Sequence, residues 1–139
     1  MDQRGSTRVS VVLDASAALA LVLPDEGGNA ERWSDLLTSQ AIDVPGLWHY
    51  EVANALIAGV RRQRLTSAEA GLAASLLSSI GVRTHPAPPL ARTLAIGAMY
   101  DLSAYDAAYL VLAIDTGGTL LTQDFGLSRA ATQAGARLG

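Results

Sequence analysis

The apolar run Val9 to Leu13 stops on a carboxylate, Asp14, and passes directly into the Ala/Leu-rich stretch Ala15 to Leu23. A β-branched run this short has the character of a fully buried strand, and the stretch after it reads as a helix stopped by Pro24. The same alternation continues to the end of the chain. Ile42 to Val44, Val82 to Thr84, Thr119 to Thr122 and Ala136 to Leu138 read as further short strands. Helical patterns fall on Glu26 to Ser39, Leu47 to Arg64, Leu90 to Tyr100, Ser103 to Thr116 and Phe125 to Ala134. Another helix opens at the capping box Thr66-Ser67-Ala68-Glu69 and runs to about Ser79. Short strands that alternate with helices predict an α/β fold, a parallel sheet of about five strands with helices on both faces. No repeat, linker or low-complexity tract interrupts the pattern, so residues 1–139 read as one domain behind a loose polar tail, residues 1–8.

A chain of 139 residues can bury about two-thirds of its unfolded surface and needs no staple. It has no cysteine, which excludes thiolate catalysis, zinc ribbons and disulfide scaffolds and is compatible with a reducing cytosol. All ten basic residues are arginine, so mechanisms that need a lysine are excluded: a Schiff base, a P-loop lysine or a receiver-type phosphate sensor. No run of 18 apolar residues predicts a membrane span. The first 24 residues imitate a signal peptide, but Asp14 sits inside the apolar stretch, where such a segment tolerates charge poorly. A cytoplasmic location is therefore expected. Aromatic residues make up only 5% of the chain, fewer than a stacking-based single-strand binder would want.

Open parallel sheets bind ligands at the carboxyl ends of their strands, so acids that follow strands carry the most information. Asp14 follows the first strand directly, and Asp124 follows the Thr119–Thr122 strand by one residue. Glu51 lies in the first turns of the Leu47–Arg64 helix, on a face with Leu47, Ala55 and Ala58, where an unpaired charge is costly. Asp106 lies in the first turn of its helix. Each acid has a plainer role available: Asp14 and Asp124 suit N-caps, Asp106 completes a Ser103-x-x-Asp106 cap, and Glu51 could pair with an arginine. Taken together, two strand-end acids and two helix-start acids point to one site. Clustered carboxylates repel, a hard divalent cation relieves the repulsion, and oxygen donors of this kind suit Mg²⁺ or Mn²⁺. Setting those four charges aside turns the formal net charge of −3 into +1, so an acidic chain does not exclude a nucleic-acid substrate. Arg61, Arg62 and Arg64 follow as a short basic run, suited either to a helix C-terminus or to an RNA backbone. His49 and His85 are not required by such a site.

The chain resembles PIN-domain nucleases, and within them the VapC toxins of bacterial toxin–antitoxin pairs. The stretches that carry the resemblance are Val12-Leu13-Asp14-Ala15-Ser16-Ala17, Glu51-Val52-Ala53-Asn54-Ala55-Leu56, Ser103 to Leu110, and Leu121-Thr122-Gln123-Asp124. They come in this order, and the resemblance spans essentially residues 9–138. The resemblance implies a PIN-like three-layer sandwich with a five-stranded parallel sheet. It implies an endoribonuclease with Asp14, Asp106 and Asp124 holding Mg²⁺ or Mn²⁺, Glu51 as the fourth acid, and Ser16, Asn54 and Thr122 at supporting polar positions. It also implies hydrolysis of RNA (of the tRNA or rRNA class) by a water the cation activates, a homodimer, and a cognate VapB-like antitoxin. The alternative is a non-catalytic PIN-fold module that binds RNA or protein, with the acids serving as caps. An aspartate-based phosphotransferase is disfavoured, because Asp14-Ala15-Ser16 lacks the second aspartate of a D-x-D motif.

Overall fold

A computed structural model describes residues 10–23 and 30–139. The expected tail, Val9, and the start of the second helix at Glu26 lie outside the described residues. The elements are β1 (Ser10–Leu13), α1 (Ala15–Val22), α2 (Ala30–Ser39), β2 (Ala41–Pro45), α3 (Leu47–Arg61) and α4 (Ser67–Ser78). They continue with β3 (Val82–His85), α5 (Leu90–Tyr100), α6 (Ala104–Thr116), β4 (Thr119–Leu121), α7 (Phe125–Gln133) and β5 (Arg137–Leu138). The five strands form one sheet in the order β3-β2-β1-β4-β5, with every neighbouring pair parallel.

The central strands β1 and β2 are buried at every position, which requires cover on both faces of the sheet. Two groups of helices supply it. Helices α1, α3 and α4 pack on one another, with α2 against α1. Helix α6 runs over β2, β1 and β4 and carries α5 and α7 at its sides. Its run Tyr109-Leu110-Val111-Leu112-Ala113 is buried throughout, as befits the helix over the middle of the sheet. The three-layer α/β/α arrangement expected from the alternating pattern is the one observed.

The strand order positions the site. From β1 the chain steps outward through β2 to β3, then returns to the other side of β1 to make β4. The direction of winding therefore reverses between β1 and β4, and the crevice of such a sheet opens at that point, beyond the carboxyl ends of the strands. Leu13 pairs with Leu121, and the Asp14 N–H extends the ladder by bonding the Leu121 carbonyl at 3.2 Å.

Several boundaries differ from the sequence reading, and among the described residues the largest shift is at the end of α3. Helix α3 ends at Arg61, not Arg64. Gln63 takes a left-handed φ of 59°, and the Arg64 and Leu65 N–H groups both turn back onto the Gly59 carbonyl. Leu65 then packs on Gly59, where a Cβ would stand 2.8 Å from Leu65 Cδ1, so the chain is redirected into the Thr66–Glu69 capping box. Strand β4 stops at Leu121, one residue before Thr122, whose side chain bonds Asp14. The last strand is only Arg137–Leu138 and is exposed, as an edge strand can be.

The turn from α6 into β4 carries a sharp steric constraint. Gly117 ends the helix at φ 66°, and a Cβ on the following Gly118 would lie 2.8 Å from the Ser10 carbonyl oxygen. Gly118→Ala should therefore cost about 1–3 kcal/mol by overpacking, read as a lower urea midpoint with an unchanged slope.

Candidate functional site

Asp14 is 5% exposed and lies at the mouth of the β1/β4 crevice. Its Oδ1 accepts from the Ala17 N–H at 2.8 Å and from the Ser16 hydroxyl at 2.7 Å; its Oδ2 accepts from the Thr122 hydroxyl. Both hydroxyls are bridges. Ser16 Oγ in turn accepts from the Gln123 N–H at 2.9 Å, and Thr122 Oγ1 from the Asp124 N–H at 2.9 Å. Each spends its one proton on Asp14 and a lone pair on the loop after β4, tying the ends of the two central strands together. Asp14 thus serves as the N-cap of α1 and as a site acid at once.

Asp124 caps α7, its Oδ2 accepting from the Leu127 N–H at 2.7 Å, and is exposed. Asp106 is half-buried in the first turn of α6, which Ser103 caps through the Asp106 N–H at 3.1 Å. Glu51 is half-buried on α3, and its Oε1 accepts from the Tyr109 hydroxyl at 2.6 Å.

The electrostatics join the four acids into one group. Burial pushes the Asp106 carboxyl above its ordinary value, and the charges of Asp124 and Glu51 push it further. Burial also raises Asp14, against the opposing hydrogen bonds from Thr122, Ala17 and Ser16, and the Asp106 charge adds to the rise. Tyr109 is raised as well, by burial first and then by Glu51, so it remains a neutral phenol donating to Glu51. These are the marks of carboxylates gathered without a compensating charge.

The donor set, oxygen only, fits Mg²⁺ or Mn²⁺. Among the described residues, however, no three His, Asp or Glu side chains stand close enough to ligate one ion as placed. Asp14 and Asp124 face their helix caps and Glu51 faces Tyr109. A carboxylate has about four lone-pair sites, so each retains acceptor capacity beyond those bonds.

Asn54 is exposed one turn beyond Glu51, and the two line one cleft of about 500 Å³ with Leu47, Tyr50, Ile57 and Tyr105. The three arginines separate. Arg62 and Arg64 line a groove of about 660 Å³ between α1, α3 and α4, whereas Arg61 sits on the outer face of α3.

Two side chains escaped the sequence reading. Tyr109 is one; its place one turn after Asp106 on a buried helix face was the available signal. The other is Asp43, wholly buried in the middle of β2. Its Oδ1 accepts from Arg83 Nε at 2.8 Å and lies 2.7 Å from His85 Nε2; its Oδ2 accepts from Arg83 Nη2 at 2.9 Å and from the Ser10 hydroxyl. Burial alone would raise this carboxyl, but the bonds from Arg83, Ser10 and His85 and the Arg83 charge outweigh it and hold the group at about 2. His85 is thus a structural partner rather than a free surface residue. His49 Nε2 lies 2.9 Å from Thr84 Oγ1 on the edge strand β3.

Comparisons with known proteins give the family. The PIN domain family model matches residues 11–133. The VapC ribonuclease Mb0985 of Mycobacterium bovis is 37% identical over 119 residues, 85% of this chain and 88% of that protein. Ribonuclease VapC3 of Pyrobaculum aerophilum is 36% identical over 123 residues, 84% of this chain and 90% of that protein. The crystal structure of PAE2754 from Pyrobaculum aerophilum superposes with a TM-score of 0.70 at 29% identity, covering 88% of this chain and 86% of that one. This chain belongs to the PIN-domain family.

Proposed function

We propose that the chain is a VapC-like endoribonuclease, the toxin of a toxin–antitoxin pair, which uses Mg²⁺ or Mn²⁺ to hydrolyse RNA phosphodiester bonds. The observation that carries this reading is that Asp14 and Asp124 stand at the ends of β1 and β4, where the sheet reverses its winding, with the charges of Asp124 and Glu51 acting on Asp106 and that of Asp106 on Asp14. The ribonuclease names of the relatives support the choice of RNA.

Asp14, Asp106 and Asp124 would hold the cation. When bound, such a cation lowers the pKa of water and neutralises charge on the phosphoryl oxygens. Ser16 and Thr122 fix the Asp14 carboxylate against rotation. Tyr109 holds Glu51 by Oε1, which leaves Oε2 to orient the attacking water and take its proton. Direct attack by water leaves a 5′-phosphate and a 3′-hydroxyl. Tyr109→Phe should lower kcat about 10-fold with little change in KM, because it frees Glu51 without touching the substrate; single-turnover cleavage rates check it.

A VapB-like antitoxin is the expected partner, and the groove between α1, α3 and α4, walled by Leu19, Val22, Leu23, Leu65 and Leu72, is a surface of the size and apolarity it would need. Helix α5 exposes Leu90, Leu94 and Met99 and buries none of its residues, which favours it as part of a homodimer contact. Among the described residues no helix is long and apolar enough to cross a membrane. The proposed RNA substrate supports a cytoplasmic site of action.

The test is cleavage of a panel of structured RNAs by antitoxin-free protein, with Mg²⁺ or Mn²⁺, with EDTA, and with Asp106→Asn. Cutting that needs both the cation and Asp106 supports the nuclease. The rival reading is a PIN-fold binding module in which Asp14 and Asp124 act only as the caps they are seen to be. It predicts RNA retained but uncut under every condition.

A further inference from the structure

A cavity of about 370 Å³ lies between α3, α4 and β3. Most of its wall is apolar: Trp48, Val52 and Leu56 from α3, Leu77 from α4, Ile80 from the turn after α4, and Val82 from β3. The volume is in the usual range for a small-molecule site. Two features set it apart from a gap in the packing. Trp48 is 4% exposed, yet its indole N–H has no hydrogen-bond partner among the described residues. A buried donor without an acceptor is costly, and native folds leave few of them. The second feature is a fixed wall. The His49 ring meets Trp48 edge-on, with centroids 5.0 Å apart at 88°, and His49 Nε2 reaches Thr84 Oγ1 at 2.9 Å. Helix α3 is thereby tied to the edge strand beside the cavity. Both rings are held in place ahead of any ligand, which lowers the ordering cost of binding.

We propose that this cavity binds a small, uncharged, largely apolar organic molecule that carries a carbonyl or similar acceptor, with its hydrocarbon part among Val52, Leu56, Leu77 and Val82 and its acceptor on the Trp48 N–H. The wall dictates that chemistry. No arginine, aspartate or glutamate lines the cavity, so an ion entering it would lose its hydration without gaining a partner. A polypeptide segment fits poorly for a related reason. Each of its residues brings a backbone N–H and a carbonyl, and apolar walls with one unpaired donor leave most of them unmatched. An isolated carbonyl on an apolar body meets the single donor and wastes nothing. The proposal stands apart from the nuclease reading: of the residues that line this cavity, Ala53 alone also lines the Glu51–Asn54 cleft.

The test is titration of isotope-labelled protein with acetophenone, a ring bearing one carbonyl, and with toluene, which lacks it, followed by proton–nitrogen correlation spectra. The chain has two tryptophans, so two indole N–H peaks report, and Trp48→Phe assigns them. Acetophenone should bind saturably, with a Kd of about 1 mM. It should move the Trp48 indole proton downfield of its position with toluene and leave the Trp33 peak in place. Trp48→Phe should weaken acetophenone about 2- to 10-fold, the effect of one lost neutral hydrogen bond, and leave toluene unchanged, both read from backbone amide peaks of α3 and α4. Ala74 is an exposed residue of α4 that lines the cavity, so Ala74→Leu should keep the fold and block both probes. A Trp48 peak that does not move, no saturable shift at the solubility limit of acetophenone, or binding that Trp48→Phe and Ala74→Leu leave unchanged would overturn the proposal. So would Ala74→Leu converting a dimer to a monomer in sedimentation while neither probe binds the parent, which would give the cavity to a side chain of a second copy. If the protein cuts no RNA but acetophenone binds as expected, the nuclease reading fails and this site stands.

Discussion

Asp106→Asn should reduce RNA hydrolysis by about 100- to 1000-fold and, in metal-free buffer, raise Tm by about 2–4 °C. The two effects have one cause. Asp106 is half-buried beside Asp124 and Glu51, and its carboxyl is raised above the unfolded value by burial and then by those charges. A raised carboxyl means that the native state tolerates the charge less well than the unfolded chain does. Stability is therefore gained as pH falls through the native value, and Asn removes the penalty at neutral pH. The Tm advantage of the variant should shrink as the pH is lowered towards about 4. A purely structural Asp106 gives the opposite sign. A carboxylate in the first turn of α6 would stabilise the helix by its dipole, and Asn would then lower Tm slightly. Thermal melts of both proteins from pH 4 to 8, with cleavage rates alongside, separate the two.

Arg83→Ala should cost about 2–4 kcal/mol, a fall in Tm of about 10 °C, and should invert the acid limb of the stability curve. Asp43 is wholly buried, and Arg83 supplies two of its hydrogen bonds although its own side chain is 61% exposed. In the intact protein the Asp43 carboxyl lies at about 2, below its unfolded value near 4. Its contribution is fully present above the unfolded value and is lost as pH falls from about 4 towards 2. Without Arg83, burial is no longer outweighed and the carboxyl rises. The variant then regains part of its lost stability on mild acidification, because a neutral Asp43 is cheaper to bury. Arg83→Lys should recover only part of the loss, since an ammonium cannot reproduce the two-pronged contact. Urea unfolding from pH 3 to 7 reads both signs.

The architecture was legible because its signals are local. Short runs rich in Val, Ile, Leu and Thr, punctuated by Pro, Gly and Asp, mark β1, β2, β3 and β4, and the Thr66–Glu69 box fixes the start of α4. The end of α3 was not legible, because it depends on Leu65 closing onto Gly59. Asp14 and Asp124 could be placed at strand ends from sequence alone, and the reversal between β1 and β4 brings them to one crevice. Asp43 was hidden because its partners Arg83 and His85 lie on a neighbouring strand some 40 residues away. A charged residue at the centre of a buried strand was the available sign that a partner must exist. Arg61, Arg62 and Arg64 read as one patch in sequence, yet the turn after α3 sends Arg62 and Arg64 to the groove and leaves Arg61 outside.

The central claim is that Asp14, Asp106 and Asp124 together hold a divalent cation. Calorimetric titration of the metal-free protein with Mn²⁺, repeated with Asp14→Asn and Asp106→Asn, tests it most directly. The account predicts a saturable site in the unsubstituted protein that each substitution weakens at least 10-fold. Mn²⁺ binding that is absent, or unchanged by both substitutions, would contradict it.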